Sequence, residues 1–343
     1  MIFGQTPVRD AIGHILAHSI ALGRTRLRKG CVLNADDIGQ LQKHNITQVV
    51  TAQLDADDIH EDDAATQFAH AICTDPVAAH VTLTPAHTGR VNIIAKCAGV
   101  VRLDADRLIQ ANSVNPMISV ATVPPYQQMA AGGLIATVKI ISYAVPKSDL
   151  AQAMDLAQSS VSLLPVQLKT ACLICAHTGP KPDEGGADAI AARCDALGIT
   201  VEQVRHCPHD TGALANTLAS VTSDLILILT GSATSDENDT APAALRQAGG
   251  HVVRFGMPVD PGNLLFYGNL GDRPVIGLPG CARSIALNGA DWVLSRVVCG
   301  CSPNDGDFAQ MAIGGLLKEI PTRPQPRHRA RNMSNQSKKT GNP

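Results

Sequence analysis

The chain reads as an α/β protein: a three-layer αβα domain on a mostly parallel sheet in its second half, with smaller α+β regions before it. Three features carry that reading. The first is LILIL at residues 225–229. This apolar run is too short for a buried helix and stops at once in the turn Thr230-Gly231-Ser232, as a buried parallel strand does. The second is the rhythm around it: strand-like segments near 168–175, 199–205, 251–255 and 274–277 alternate with helical segments near 186–197, 211–221, 240–248 and 282–298. The third is a set of polar, glycine-containing loops, HTGPKPDEGG, HCPHDTG, TGSATSDEND and GLPGCARS. Each follows a strand, so all fall on one sheet edge, where open α/β sheets collect ligands.

Composition sets outer limits. At 343 residues the chain can hold two or three domains, and 45% hydrophobic with 17% charged residues suits a globular core. Only 3% of residues are aromatic, which leaves few stacking surfaces for single-stranded nucleic acid. The net charge is −2 and no basic stripe precedes the C-terminal tail, so a nucleic-acid partner is not expected. No apolar run approaches the length of a bilayer span, and MIFGQTPVRD lacks a charged segment followed by an apolar one. The expectation is a cytoplasmic protein without a membrane role. Ten cysteines are scattered through mostly apolar segments, as buried small hydrophobes would be. Cys172 and Cys175 have CxxC spacing inside ACLICA, but on a strand they point to opposite faces, which argues against a zinc or redox pair.

Taken from the N-terminus, Thr6 as cap and Pro7 at the first helical position predict a helix to about residue 20, with His14 and His18 sharing a face. Without an accompanying ligand motif, that spacing reads as a plain amphipathic helix. TRLRKGCVL reads as a short strand, Asn34 as the cap of a helix through Lys43, and ITQVVTAQL as a further strand. Asp55, Asp57, Asp58, Glu61, Asp62 and Asp63 surround a helix start near residue 60, where carboxylates suit the positive end of the dipole. Between 81 and 145 the pattern turns to short strands broken by a helix near 104–111; Lys96 and Lys139 there read as solvated edge residues. The expected units are an N-terminal α/β region (1–75), a mixed α+β module (76–147), the three-layer domain (148–300) and a C-terminal extension (301–320). The last segment, PTRPQPRHRARNMSNQSKKTGNP (321–343), is proline-rich, basic and polar, and is expected to be disordered.

TGSATSDENDTAP resembles the Thr-Gly-Gly signature of the molybdopterin-binding domain family, found in molybdopterin adenylyltransferases and molybdotransferases. Thr230, Gly231, Asp239 and Pro242 match it, and Ser232 stands where the family has a second glycine. Downstream, VIGLPGCARSIA at 275–286 is similar to the family's strand, Gly-Leu-Pro-Gly turn and helix; with MPVDPGN the likeness spans about 165–300. AIGHILAHS, RLRKGCVLNADDI, ATVKIISYAV and GGLLKEIPTRPQPR extend it. They resemble the molybdopterin-binding half of bacterial proteins in which that half is joined to a nucleotidyltransferase of the molybdopterin-cytidylyltransferase kind. No nucleotidyltransferase segment follows among these residues, and a stand-alone pterin-binding module is expected.

The resemblance implies a molybdenum-cofactor biosynthesis protein that binds molybdopterin or its nucleotide. A nucleotidyltransferase or molybdoenzyme would be its partner, and self-association stays open. It implies Asp210 and Asp239 as the catalytic pair, each opening a helix and together holding Mg²⁺ against phosphate. Thr230, Gly231 and Ser232 would lie along the ligand, while Gly277, Leu278, Pro279 and Gly280 would wrap the pterin or its terminal phosphate with N–H groups at the start of the last helix. Arg283 would add a cation and Ser284 a hydroxyl one turn further on. His206, Cys207 and His209 do not complete a zinc set. Two departures weigh against the full transfer reaction. Asp260 and Asn263 stand in MPVDPGN where related molybdotransferases carry lysines, and Cys281-Ala282 replaces an Asn-Pro. Three activities therefore remain open: a molybdotransferase-like transferase, a non-catalytic molybdopterin carrier, and a pyridine-nucleotide amidohydrolase on the same fold.

Overall fold

The computed structural model describes residues 1–180 and 186–318. The segment from 319, and residues 181–185 of the HTGPKPDEGG loop, lie outside the described residues.

The helix expected from Thr6 is replaced by sheet. Ile2–Pro7 pairs antiparallel with Gln48–Gln53, and Ile15–Leu16 pairs on the other side of that strand. Thr6 Oγ1 lies 2.7 Å from Thr51 Oγ1, and His14 Nδ1 lies 3.1 Å from the same hydroxyl. Cross-strand pairing has overridden the local cap signal, and His14 and His18 share no helical face. The Asn34 cap is as expected: it heads Ala35–Lys43 with a reciprocal box, in which Asp37 N–H donates to Asn34 and Asn34 N–H donates to Asp37.

The middle module packs the helices Glu61–Ile72, Ala105–Asn112 and Lys147–Ala157 around one core with a four-stranded antiparallel sheet and the strand pair Gly99–Leu103 and Val161–Pro165. Phe68, Ile93, Ile118, Ile135 and Ile140 fill its centre. Lys139, expected at a solvated edge, instead sits 3.6 Å from the mostly buried Glu61 and donates to the Thr88 carbonyl.

The C-terminal domain is labelled from its first strand: β1 Thr170–His177, α1 Ala187–Asp195, β2 Thr200–Pro208, α2 Thr211–Ala219, β3 Leu225–Leu229, α3 Thr240–Gln247, β4 His251–Phe255, β5 Phe266–Leu270, β6 Arg273–Leu278, α4 Gly289–Val298 and α5 Asp305–Gln310. Strand order is β2-β1-β3-β6-β5-β4; β2, β1, β3 and β6 run parallel, and β5 runs antiparallel to both neighbours. β5 is an addition to the expected set, because FYGNL carries glycine and asparagine and reads as turn. Side chains alternate across the sheet. Cys172, Ile174, Ile226 and Ile228 face α2 and α3, whereas Leu173, Cys175, Leu227 and Leu229 face α1, α4 and α5. This is the three-layer αβα arrangement, and it puts Cys172 and Cys175 on opposite faces. Burial pushes the Cys73 and Cys299 thiols up to about 12, in keeping with cysteines used as small hydrophobes. Among the described residues no helix is long and apolar enough to cross a membrane.

One expected helix starts later than its sequence suggests. Gly280–Arg283 forms a short 3₁₀ turn, Ser284 is extended, and α4 begins only at Gly289, capped by Asn288 in a box with Asp291. The start of β1 is tied to the start of β3 by Asp224, whose Oδ2 accepts from Lys169 N–H (2.9 Å) and Thr170 N–H (3.0 Å). Those two bonds hold its carboxyl below the usual range.

Gly277 lies on β6 directly beneath the ring of its β5 partner: a Cβ there would stand 1.9 Å from Phe266 Cε1. Gly277→Ala should therefore lower stability by about 1–3 kcal/mol in urea unfolding. Adding Phe266→Leu should recover part of that loss.

Candidate functional site

The parallel strands β1, β2, β3 and β6 end at His177, Pro208, Leu229 and Leu278 on one edge. Leu229 pairs with Leu278 in register, so Thr230 and Pro279 leave the sheet side by side. Gly231 then crosses the end of β1. A Cβ at this position would fall 2.8 Å from Ala176 O and 3.0 Å from Thr178 N, so only glycine lets the loop rest on that backbone. Ser232 is exposed and its φ is not positive, so nothing in the backbone there calls for a glycine.

Residues 233–239 fold back on Asp239, the cap of α3. Ser235 N–H donates to Asp239 Oδ2 (2.9 Å) and Thr240 N–H to Oδ1 (2.7 Å). These bonds, led by that from Ser235, hold the carboxyl below its ordinary value, and the charge of His209 adds to the effect. His209 thus lies near Asp239, and its own N–H donates to His177 O at 2.8 Å. Asp210 follows it and caps α2, with Oδ1 accepting from Ala213 N–H at 2.9 Å. Asp210 and Asp239 therefore flank His209 on the same edge. Among the described residues no group of three or more His, Cys, Asp or Glu side chains could hold a metal ion.

The second loop divides in two. Gly277 and Leu278 are interior, under Phe266 and in the core, while Pro279 is buried at the edge and Gly280 faces open space. Because α4 starts at Gly289, its first N–H groups are not those of this turn; the donor there is the turn's own backbone. Arg283 Nη2 donates to Thr230 O (3.0 Å), and Gly186, at φ +92, packs against Arg283 so closely that a Cβ would lie 2.8 Å from Arg283 Cα. Three loops meet at that arginine. Ser284 is exposed, and its Oγ accepts from Ala286 N–H.

What sequence reasoning missed is Arg193, on α1. Its side chain is only 8% exposed and its Nε donates to Asp291 Oδ1 at 2.7 Å. Nη1 donates to Ala189 O and Ala282 O, and Nη2 to Ser284 O (2.7 Å) and Ala286 O (2.9 Å). One guanidinium therefore holds the loop after Gly280 from behind. Nothing in AARCDALG distinguishes this arginine from a solvated one.

Residues 183–299 match the family model described as "Probable molybdopterin binding domain". This stretch is a molybdopterin-binding domain. β1 precedes the matched stretch, yet it completes the domain's sheet between β2 and β3. Residues 5–53 match a model described only as a domain of unknown function. Among solved structures, the chain is similar to the molybdopterin biosynthesis moea protein from Pyrococcus horikosii, at 12% identity over 90% of this chain and 77% of that one, with a TM-score of 0.32. It is similar to the molybdopterin biosynthesis enzyme MoaB from Thermus thermophilus, at 13% identity over 44% of this chain and 100% of that one, TM-score 0.28. It is also similar to the protein CinA with unknown function from Thermoplasma acidophilum, at 17% identity over 34% of this chain and 92% of that one, TM-score 0.25. No curated protein matches.

Two outcomes follow from the geometry of the molybdopterin-binding domain. Arg193→Ala strands Asp291 and several carbonyls in a mostly buried setting and should cost about 3 kcal/mol in denaturant unfolding. Arg193→Lys should recover little of it, since an ammonium cannot span the same set of acceptors. Asp239 has a folded-state pKa below 3.8, so the order it lends the loop is fully present above that pH and lost as pH falls through the lower value. Amide exchange at Ser235 and Thr240 should rise on acidification only in that window.

Proposed function

We propose that the chain is a molybdenum-cofactor biosynthesis protein that binds molybdopterin or its nucleotide at the strand-end edge of the C-terminal domain. The observation that carries this is the convergence of the two motif loops: Thr230 and Pro279 leave paired strand ends, and Arg283 joins them through the Thr230 carbonyl. Gly231, Ser232 and Gly280 have backbone N–H groups that make no hydrogen bond among the described residues. Unpaired amides at an exposed edge suit the phosphate of the ligand, as at a helix N-terminus or backbone nest.

Mg²⁺ fits this edge only with the ligand's help. The ion usually takes one or two carboxylates plus substrate phosphate, and Asp210 and Asp239, the caps of α2 and α3, are the carboxylates proposed for it. Asp210 keeps Oδ2 unengaged, whereas both Asp239 oxygens already accept backbone N–H bonds and shape the loop. When bound, the ion would neutralise phosphate charge. In the transferase reading, Asp210 supplies an oxygen toward it and Asp239 orients the loop that carries the ligand.

A second reading, a carrier that passes its pterin on unchanged, has its own observation. Residues 257–263 serve structural contacts: Asp260 N–H donates to Gly315 O, Leu317 N–H donates to Asp260 O, and Asn263 Nδ2 donates to Met257 O. This segment holds the C-terminal extension and presents no cation to a second anion.

Mass spectrometry of the purified full chain should reveal a copurifying pterin, and Gly231→Val, which drives the loop off β1, should weaken molybdopterin binding by at least about tenfold. Wild-type affinity in that variant would remove the loop from the site. Incubation with molybdate and Mg-ATP separates the two readings: a transferase alters its ligand, and Asp210→Asn should then slow it about a hundredfold. A carrier returns the pterin unaltered.

A further inference from the structure

Away from the strand-end edge, a cavity of about 560 Å³ lies between the middle module and α4, lined in part by Tyr126, Gln128, Trp292, Arg296 and Met311. None of its lining residues belongs to the two motif loops. Its size falls in the range of small-molecule sites, and its walls are largely apolar with a few polar groups.

The unusual member is Arg296. Its guanidinium lies over the Tyr126 ring, with Cζ 4.1 Å from the centroid. Its Nε is buried and makes no hydrogen bond, and among the described residues the arginine forms no ion pair. The carboxylate whose charge acts on it is that of Asp307. Asp307 is engaged in its own capping box, accepting from Asn304 N–H at 2.9 Å. Asp291, also on the cavity wall, is paired with Arg193. Arg296 is half-buried and its Nε is shut off from water without an acceptor; a buried donor left unpaired is costly and calls for a partner. Tyr126 reinforces the point. It holds φ +58, costly for a bulky residue, and is pinned there by donating its N–H to Val101 O at 2.7 Å. The middle module thus sets an aromatic face over a cation on the neighbouring domain and leaves the cation's edge open.

We propose that this cavity is a second ligand site, one that takes a small aromatic acid, with its carboxylate or phosphate on the Arg296 guanidinium and its ring against Trp292 and Met311. The acid supplies the acceptor that Arg296 lacks, and the ring replaces water along apolar walls. The site is separate from the molybdopterin edge and stands whether or not that reading holds.

Trp292 is the only tryptophan in the sequence, so its fluorescence reports occupancy of this cavity. Titrating the full chain with benzoate and with phenyl phosphate should give a saturable change in emission for at least one, and the tighter of the two identifies the acid preferred. Benzamide, which keeps the ring without the charge, should bind at least about tenfold more weakly, as should inorganic phosphate, which keeps the charge without the ring. Arg296→Gln should weaken the preferred acid by at least about tenfold, Arg296→Lys by less, and Tyr126→Leu should weaken it too. The proposal is overturned by no saturable response to either acid, by benzamide or inorganic phosphate binding as well as the acids, or by a folded Arg296→Gln chain that binds unchanged. The wild-type comparison of benzoate with benzamide needs no variant, so a poorly folding Arg296 substitution leaves the test intact.

Discussion

Parallel pairing of β1, β3 and β6 is the constraint on which the rest of the C-terminal domain depends. Three neighbouring strands running the same way must all release their chains at the same edge, whatever the loops contain. The in-register pair Leu229 and Leu278 sets how far apart the two motif loops can be, and the bonds from Asp224 to the start of β1 help set the register on the other side. Both faces of these strands are covered by helices, which is why LILIL has no polar residue: no position on it meets water.

On that frame the loops are held by different means. The first is held through shape, with Gly231 resting on the β1 backbone and Asp239 collecting the amides of Ser235 and Thr240. The second is held through charge, by Arg193 behind it and by Arg283 reaching across to Thr230. Arg193 carries its full charge in a mostly buried place because Asp291 neutralises it and backbone carbonyls take up its remaining donors. Arg296, on the same helix as Asp291, has only an aromatic face, and the contrast between the two arginines is what sets the second cavity apart.

Much of this was legible in the residues. Short apolar runs with a turn behind them marked β3 and β4 to the residue, and Asn34, Asp210 and Asp239 were read as helix caps because short polar side chains before an apolar-periodic segment have few other uses. The two motif loops were read to one edge because strand direction follows from βα alternation. What escaped was non-local. Thr6-Pro7 carries the local signature of a helix start, but pairing with residues 48–53 decided otherwise. FYGNL became a strand because Gly277 makes room for Phe266, a fact held by two strands jointly. The late start of α4 depends on the Asn288–Asp291 box, and Arg193 shows its role only once residues some ninety positions away are folded against it. Periodicity has no access to such pairings.

Arg193 grips Ala282, Ser284 and Ala286 by their carbonyl oxygens, which every amino acid possesses. The path of that loop is therefore decoupled from the identity of its exposed residues. The side chains of Ser284, Ile285 and Ala286 are released to vary as recognition demands while the trace stays put, whereas Ala282, in the core, and Arg283, bonded to the Thr230 carbonyl, are not. Change at Arg193 or Asp291 would have no comparable freedom, so evolutionary variability in this part of the molecule should be lopsided: permissive along the visible rim, intolerant at the two hidden charges that support it.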